Sequence, residues 1–289
     1  MPIYLELGAH VSAAGGVDIG LVRANDFEMS ACQIFTKSER QWAAKPLDAE
    51  LVNRFRANAE KFAFKHLVAH DSYLINMATP DPVLWEKSRQ ALAHELERCN
   101  LLGIPYLVSH PGAHMGEGPE AGVERVVRAI NQIHDEHPNG EAAILIETTA
   151  GQGTTLGRSF EEVAQILEGV TDRNRVGVCL DTCHIFAAGY DLRDSTSYAS
   201  TMQSFDTIVG LANLKCLHLN DSKKGLGMHA DRHAHIGQGE IGLAGFAFLM
   251  NDARLAGLPG ILETPKEGPN FTEDRMNLDT LRSLVTDRA

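Results

Sequence analysis

Eight short apolar runs, rich in β-branched residues, alternate along this chain with longer segments of helical period. The runs are "IYLELGAH", "ACQIF", "FKHLVAH", "PYLVSH", "AAILIE", "VGVCLD", "LKCLHLN" and "GILET". They are continuous rather than alternating in polarity, as strands buried on both faces are. The segments between them read as amphipathic helices. "SFEEVAQILEGV" opens with the capping-box pattern Ser159 to Glu162, and "CNLL" stops at Gly103, a common helix terminator. Spread over eight units, 289 residues leave about 36 per strand and helix, the size of a (β/α)8 unit. We therefore expect an α/β fold, a TIM (β/α)8 barrel forming a single domain over residues 1–289. A doubly wound sheet is the rival. Its phosphate-binding glycines are not found, because "AGQGTTLG" does not match Gly-x-Gly-x-x-Gly and lies in the fifth unit rather than the first.

The strand ends carry the chemistry. His70, His110, Glu147, Asp181, His218 and Glu263 lie at or near the C-terminal ends of six of the eight runs, and in a barrel these ends converge on the rim where active sites of this fold are built. Any one of them could be a capped loop or a satisfied buried group. All six together imply compensation by cations, since nothing basic ends these strands and unpaired buried carboxylates are costly. Imidazole with carboxylate suits zinc, manganese or iron(II) better than calcium or magnesium, and the number of donors suits two or more ions. A second group follows the seventh run in "GMHADRHAHIGQGEIG". There His229, Asp231, His233 and His235 alternate, and in an extended loop they would share one face. Spacing alone does not choose among them; His184, three residues after Asp181, could join them.

Other residues read as structure. His134 and His137 in "QIHDEHPNG" look like a solvated helix end, Asp26 and Lys65 like solvated faces, and Cys32, Cys99 and Cys216 like small buried hydrophobes. The five cysteines are scattered without a Cys-x-x-Cys pair, which argues for reduced thiols. The start "MPIYLELGAH" has no signal-peptide character, and no apolar run approaches the roughly 18 residues of a membrane span, so a cytoplasmic location is expected. A formal charge of -12 speaks against a polyanionic partner unless the acidic residues hold metal.

The strings "LGAHVSAAGG", "FTKSERQW", "HDSYLINMATP", "HPGAH", "ETTAGQGTTLG", "VGVCLDTCHIFAAGYDLR", "HLNDSKKGLGMHADRHAHIGQGEIG" and "ILETP" resemble endonuclease IV, the metal-dependent apurinic/apyrimidinic endonuclease. The likeness runs in order from about residue 7 to residue 265. It implies a TIM barrel with three Zn2+, with Mn2+ or Fe2+ as possible substitutes. It assigns His70, His110 and Glu147 to the first ion, the bridging Glu147 with Asp181, His218 and Glu263 to the second, and His184, Asp231 and His233 to the third. Glu147 and Glu263 become the catalytic carboxylates. Arg40, Tyr73 and Leu74 become the residues that enter the DNA stack. His229 and His235 drop out as ligands, His10 and His114 are expected near the site without binding metal, and Cys179 and Cys183 are expected to be packing residues. The implied partner is double-stranded DNA with abasic sites or blocked 3′ ends, cut by a monomer in base-excision repair. Lys37, Arg40, Lys223, Lys224 and Arg232 would extend the positive region toward the phosphates. A two-metal sugar isomerase or epimerase and a non-cleaving binder of damaged DNA are the alternatives, but the first leaves the group around Asp231 without a purpose.

Overall fold

The computed structural model describes residues 4–267 and 272–286. Eight parallel strands close into a barrel, in the order β1 (Glu6–His10), β10 (Pro259–Leu262), β7 (Leu214–His218), β6 (Val176–Asp181), β5 (Ala143–Glu147), β4 (Tyr106–Ser109), β3 (His66–His70) and β2 (Ala31–Phe35). Each expected apolar run supplies one of them. The outer ring is α1 (Val17–Asp26), α2 (Ala49–Lys61), α3 (Pro82–Leu102), α4 (Pro119–Glu136), α5 (Phe160–Gly169), α7 (Ser195–Ile208), α8 (Gly242–Met250) and α9 (Thr272–Ser283). Two additions sit above the rim. A short helix α6 (Thr182–Ala188) follows β6 directly, and an antiparallel ribbon of β8 (Asp221–Ser222) and β9 (His233–Ala234) is inserted between β7 and α8. Among the described residues no helix is long and apolar enough to cross a membrane.

The core has two layers because the strands bury both faces. Inside the bore, Ala31, Val68, Val108, Leu145, Cys179, Cys216 and Ile261 pack together, one from each of seven strands. The remaining strand, β1, contributes Gly8, where a β-carbon would lie 1.9 Å from the Ala31 carbonyl oxygen, so only glycine lets β1 and β2 approach so closely. Outside the barrel, Phe55, Leu92, Leu96, Ile130, Ile166, Phe205 and Phe246 lie fully buried beneath the helices, each worth about 1.5–3 kcal/mol of burial.

Helix starts follow the polar signals. Asp48, Asp81 and Asp194 cap α2, α3 and α7, and Gly103 ends α3 in the left-handed region at φ 75°. At α5 the capping box is altered. Ser159 accepts from the Glu162 amide at 3.2 Å, but the Glu162 carboxylate reaches past it to the Gly157 and Arg158 amides at 2.8 and 3.2 Å, tying the "GQGTTLG" loop to the helix.

Candidate metal centre

Parallel strands deliver their last residues to one rim. His70, Glu147, Asp181 and His218 are the final residues of β3, β5, β6 and β7, while His110 and Glu263 follow β4 and β10 by one residue. Glu147, fully buried, is the hub. Its Oε2 lies 3.0 Å from His70 Nε2 and 2.8 Å from His110 Nε2. Its Oε1 lies 2.9 Å from His218 Nδ1, which is itself 3.2 Å from Glu263 Oε2. A third set lies alongside, where Asp231 places Oδ2 3.2 Å from His184 Nε2 and Oδ1 3.1 Å from His233 Nε2. The ligand atoms of His70/His110/Glu147, of Glu147/Asp181/His218/Glu263 and of His184/Asp231/His233 lie within 4.8 Å of one another in each set. All nine residues assigned by resemblance are thus together.

Four of the five imidazoles are held by the nitrogen that faces away from the centre. His70 Nδ1 donates to the Asp71 carbonyl at 2.9 Å, His184 Nδ1 to the Thr148 carbonyl at 2.8 Å, His233 Nδ1 to the Glu263 carbonyl at 3.1 Å, and His218 Nε2 to Gln33 Oε1 at 2.8 Å. Such bonds fix the tautomer and present the other nitrogen's lone pair inward, as in metal-binding histidines. His233 Nε2 is buried and, although close to Asp231, has no hydrogen-bond partner.

The electrostatics make the same demand for positive charge. Burial alone would lower the imidazole pKa values, yet Glu147 raises His70 to about 9 and Asp231 raises His233 to about 9. His184 is raised well above the usual value against its burial by Asp181 and Asp231, and His218 by Glu263 and Glu147. Burial would raise Glu147 and Glu263, but the surrounding imidazoles hold both well below the carboxylate range. The cluster thus calls for positive charge at its centre, and the donor set fits divalent cations. Two further groups include a cysteine, Cys179/Cys216/His218 and Asp181/Cys183/His233. Burial pushes Cys179 well up and Cys183 to about 12, which keeps those thiols protonated and favours the packing role.

His184 lies in the first turn of α6, and Asp181 caps that helix by accepting from the His184 amide at 2.8 Å. Several expectations are corrected. The alternating loop histidines do not share a face, since His229 turns the chain at φ 50° with Nδ1 3.1 Å from the Ala150 carbonyl, and His235 pairs with Asn277 at 3.1 Å. Lys37 does not face the phosphates. It is buried in an ion pair with Glu95 of α3 at 3.0 Å. His134 is not solvated but buried, with both ring nitrogens lacking a hydrogen-bond partner. Lys65 is exposed as expected, with Glu6 at 2.6 Å. His114 shapes its own loop by accepting from the Gly116 and Gly118 amides at 3.3 and 3.0 Å, whereas His10 does reach the site, 3.3 Å from Glu263.

The expected DNA-facing residues line the rim. Arg40 and Tyr73 are exposed, Leu74 is partly buried, and Lys223, Lys224 and Arg232 are exposed. Tyr73 stands edge-on to Phe35 at 5.6 Å between ring centres and 6.0 Å from the ring of His70, so an aromatic blade projects from the floor of the site. Glu95 holds its base by accepting from Thr36 at 2.9 Å and from the Ser72 amide at 3.0 Å. Thus the loops bearing Arg40 and Tyr73 are tied to one helix.

Three supporting residues escape a reading of strand ends. Gln33 is a polar residue inside the run "ACQIF". Asn220 donates to Asp181 at 2.7 Å and accepts from the Glu263 amide at 2.8 Å. Asp221, fully buried, accepts from the amides of Ser222, Gly237, Gly239, Ile241 and Gly242 at 2.8–3.3 Å, and so pins the segment that carries Asp231 and His233.

Comparisons with known proteins agree with the barrel fold. A family profile for xylose isomerase-like TIM barrels matches residues 21–284. A probable endonuclease 4 of Chloroflexus aggregans is 54% identical over 280 residues, covering 97% of this chain and 98% of the relative. The crystal structure of endonuclease IV from Thermus thermophilus superposes with a TM-score of 0.85 at 39% identity, covering 96% of this chain and 98% of the other. A D-allulose 3-epimerase from Methylomonas shares the fold with a TM-score of 0.70 at 16% identity, covering 98% of both chains.

Proposed function

From the premise that this chain belongs to the endonuclease IV family and is an apurinic/apyrimidinic endonuclease, we propose that it hydrolyses the phosphodiester on the 5′ side of an abasic site in double-stranded DNA. The products are a 3′-hydroxyl and a 5′-deoxyribose phosphate, and the same centre trims blocked 3′ ends. It acts as a monomer in base-excision repair. The observation that supports this reading is the Glu147 hub, which faces two ligand sets through its two oxygens with a third set beside it.

The three sets would hold three divalent cations, with zinc the natural choice for imidazole and carboxylate donors. Such ions supply Lewis acidity, making water acidic enough to attack near neutral pH and neutralising charge on the phosphate and the departing 3′-oxygen. Glu147 fixes the spacing of the first two sets. Glu263 keeps an edge open to the cavity beside Tyr73 and His10, where it orients the attacking water. His184, Asp231 and His233 approach from the other side and hold the leaving-group end. Arg40, Tyr73 and Leu74 enter the DNA stack. Selectivity comes from the abasic nucleotide being cheap to unstack. A sugar epimerase shares the barrel, but a substrate of that size gives no role to the ribbon-borne ligands or to an exposed Tyr73.

Duplex DNA with one abasic analogue tests the reading. Zinc-restored protein is expected to incise it and chelated protein is not. Glu263→Gln is expected to lower turnover by about 10²- to 10⁴-fold while binding to the abasic duplex stays within a few fold. Unchanged turnover in that variant would remove Glu263 from the mechanism.

A further inference from the structure

We propose that Gln33 is a positioning residue for the second ligand set, sorting the donor atoms of His218 and Glu263 into those that face the centre and those that do not. The inference rests on the metal-dependent reading above. Gln33 comes from the middle of β2 and is fully buried. Its Oε1 accepts from His218 Nε2 at 2.8 Å, and its Nε2 donates to Glu263 Oε1 at 2.7 Å. The remaining amide proton is directed at His10 Nδ1, 2.9 Å away. In both partners the atom Gln33 engages is the outer one. What remains is His218 Nδ1 and Glu263 Oε2, which face each other at 3.2 Å with Glu147 Oε1 2.9 Å from the same Nδ1.

The amide meets both demands at once through its two terminal atoms. The imidazole offers a donor and needs an acceptor, while the carboxylate needs a donor. A glutamate at position 33 would set a second carboxylate against Glu263, and an apolar residue would leave His218 free to take the other tautomer. Residues that orient metal ligands in this way contribute about 10- to 100-fold to metal affinity or activity. A merely space-filling side chain would contribute to neither.

The test uses whole protein loaded with zinc, titrated with a chelator while bound zinc per chain is measured, alongside kinetics on an abasic duplex. Gln33→Met keeps the volume and removes all three bonds. It is expected to release one zinc at a chelator concentration about 10- to 100-fold lower than wild type needs, and to lose a similar factor in kcat with KM within about twofold. Excess zinc should restore part of the rate. Should Gln33→Met fail to fold by circular dichroism, Gln33→Glu, which keeps the acceptor for His218, is expected to show the same early zinc release. A folded variant of either kind with wild-type zinc retention and kcat overturns the proposal. Wild-type protein that binds no divalent ion, or cuts equally well after chelation, overturns the metal-dependent reading instead.

Discussion

His134 shows how a single side chain can tie stability to pH at a distance from the rim. It lies buried on α4, and burial together with the Arg175 guanidinium pushes it from 6.5 down to about 4. Between those values the unfolded chain takes up a proton that the folded chain refuses. Its contribution is therefore intact above pH 6.5 and is lost as pH falls toward 4. His134→Leu is expected to flatten the change in unfolding free energy between pH 7 and pH 5, measured by urea denaturation; an unchanged slope would contradict the assignment. At this scale the sequence was legible where chemistry coincided with a strand end. Eight of the nine candidate ligands stand at such ends or in the one His-rich segment, and His184 follows the Asp181 strand end by three residues. Gln33, Asn220 and Asp221 were not legible, because a neutral amide in an apolar run and an acid beside it carry no periodic signal. Lys37 was misplaced for a related reason. Its partner Glu95 sits on α3, beyond the intervening α2 and β3, and local sequence contains nothing that brings the two together.

Among the elements, strands and outer helices follow from hydrophobic period and capping residues, whereas the two additions above the rim do not. Directly after the strand end, the carboxylate of Asp181 caps a helix of only seven residues, too short for a periodic signal. The ribbon of β8 and β9 is too short for any pattern and depends on Asp221, to which five amides converge. Asp221→Ala is expected to cost about 3 kcal/mol or more, since several buried N–H groups lose a charged acceptor. It should also release first the ion proposed for the set of His184, Asp231 and His233, before the barrel unfolds. Zinc content measured against temperature, beside the thermal melt, checks this; simultaneous loss of all ions with the fold would count against it.

For the whole molecule, a chain of formal charge -12 acts on a polyanion, and the rim reconciles the two. Each divalent ion held there would add two positive charges where Lys223, Lys224 and Arg232 are already exposed. Removing the ions should therefore weaken binding to an abasic duplex by at least about tenfold and reduce its dependence on salt. Fluorescence anisotropy across a salt series, with and without chelator, measures both, and equal affinity would show that the ions contribute nothing to association. The barrel itself was legible from eight runs at regular spacing, because closure needs little beyond strands apolar on both faces.

The ribbon makes the third ligand set separable from the barrel. Asp231 and His233 sit on a segment inserted between β7 and α8 and anchored by Asp221, so none of the eight barrel strands supplies them. Deleting that segment would remove two of the three residues of the third set and leave the other two sets, carried at or next to strand ends, in place.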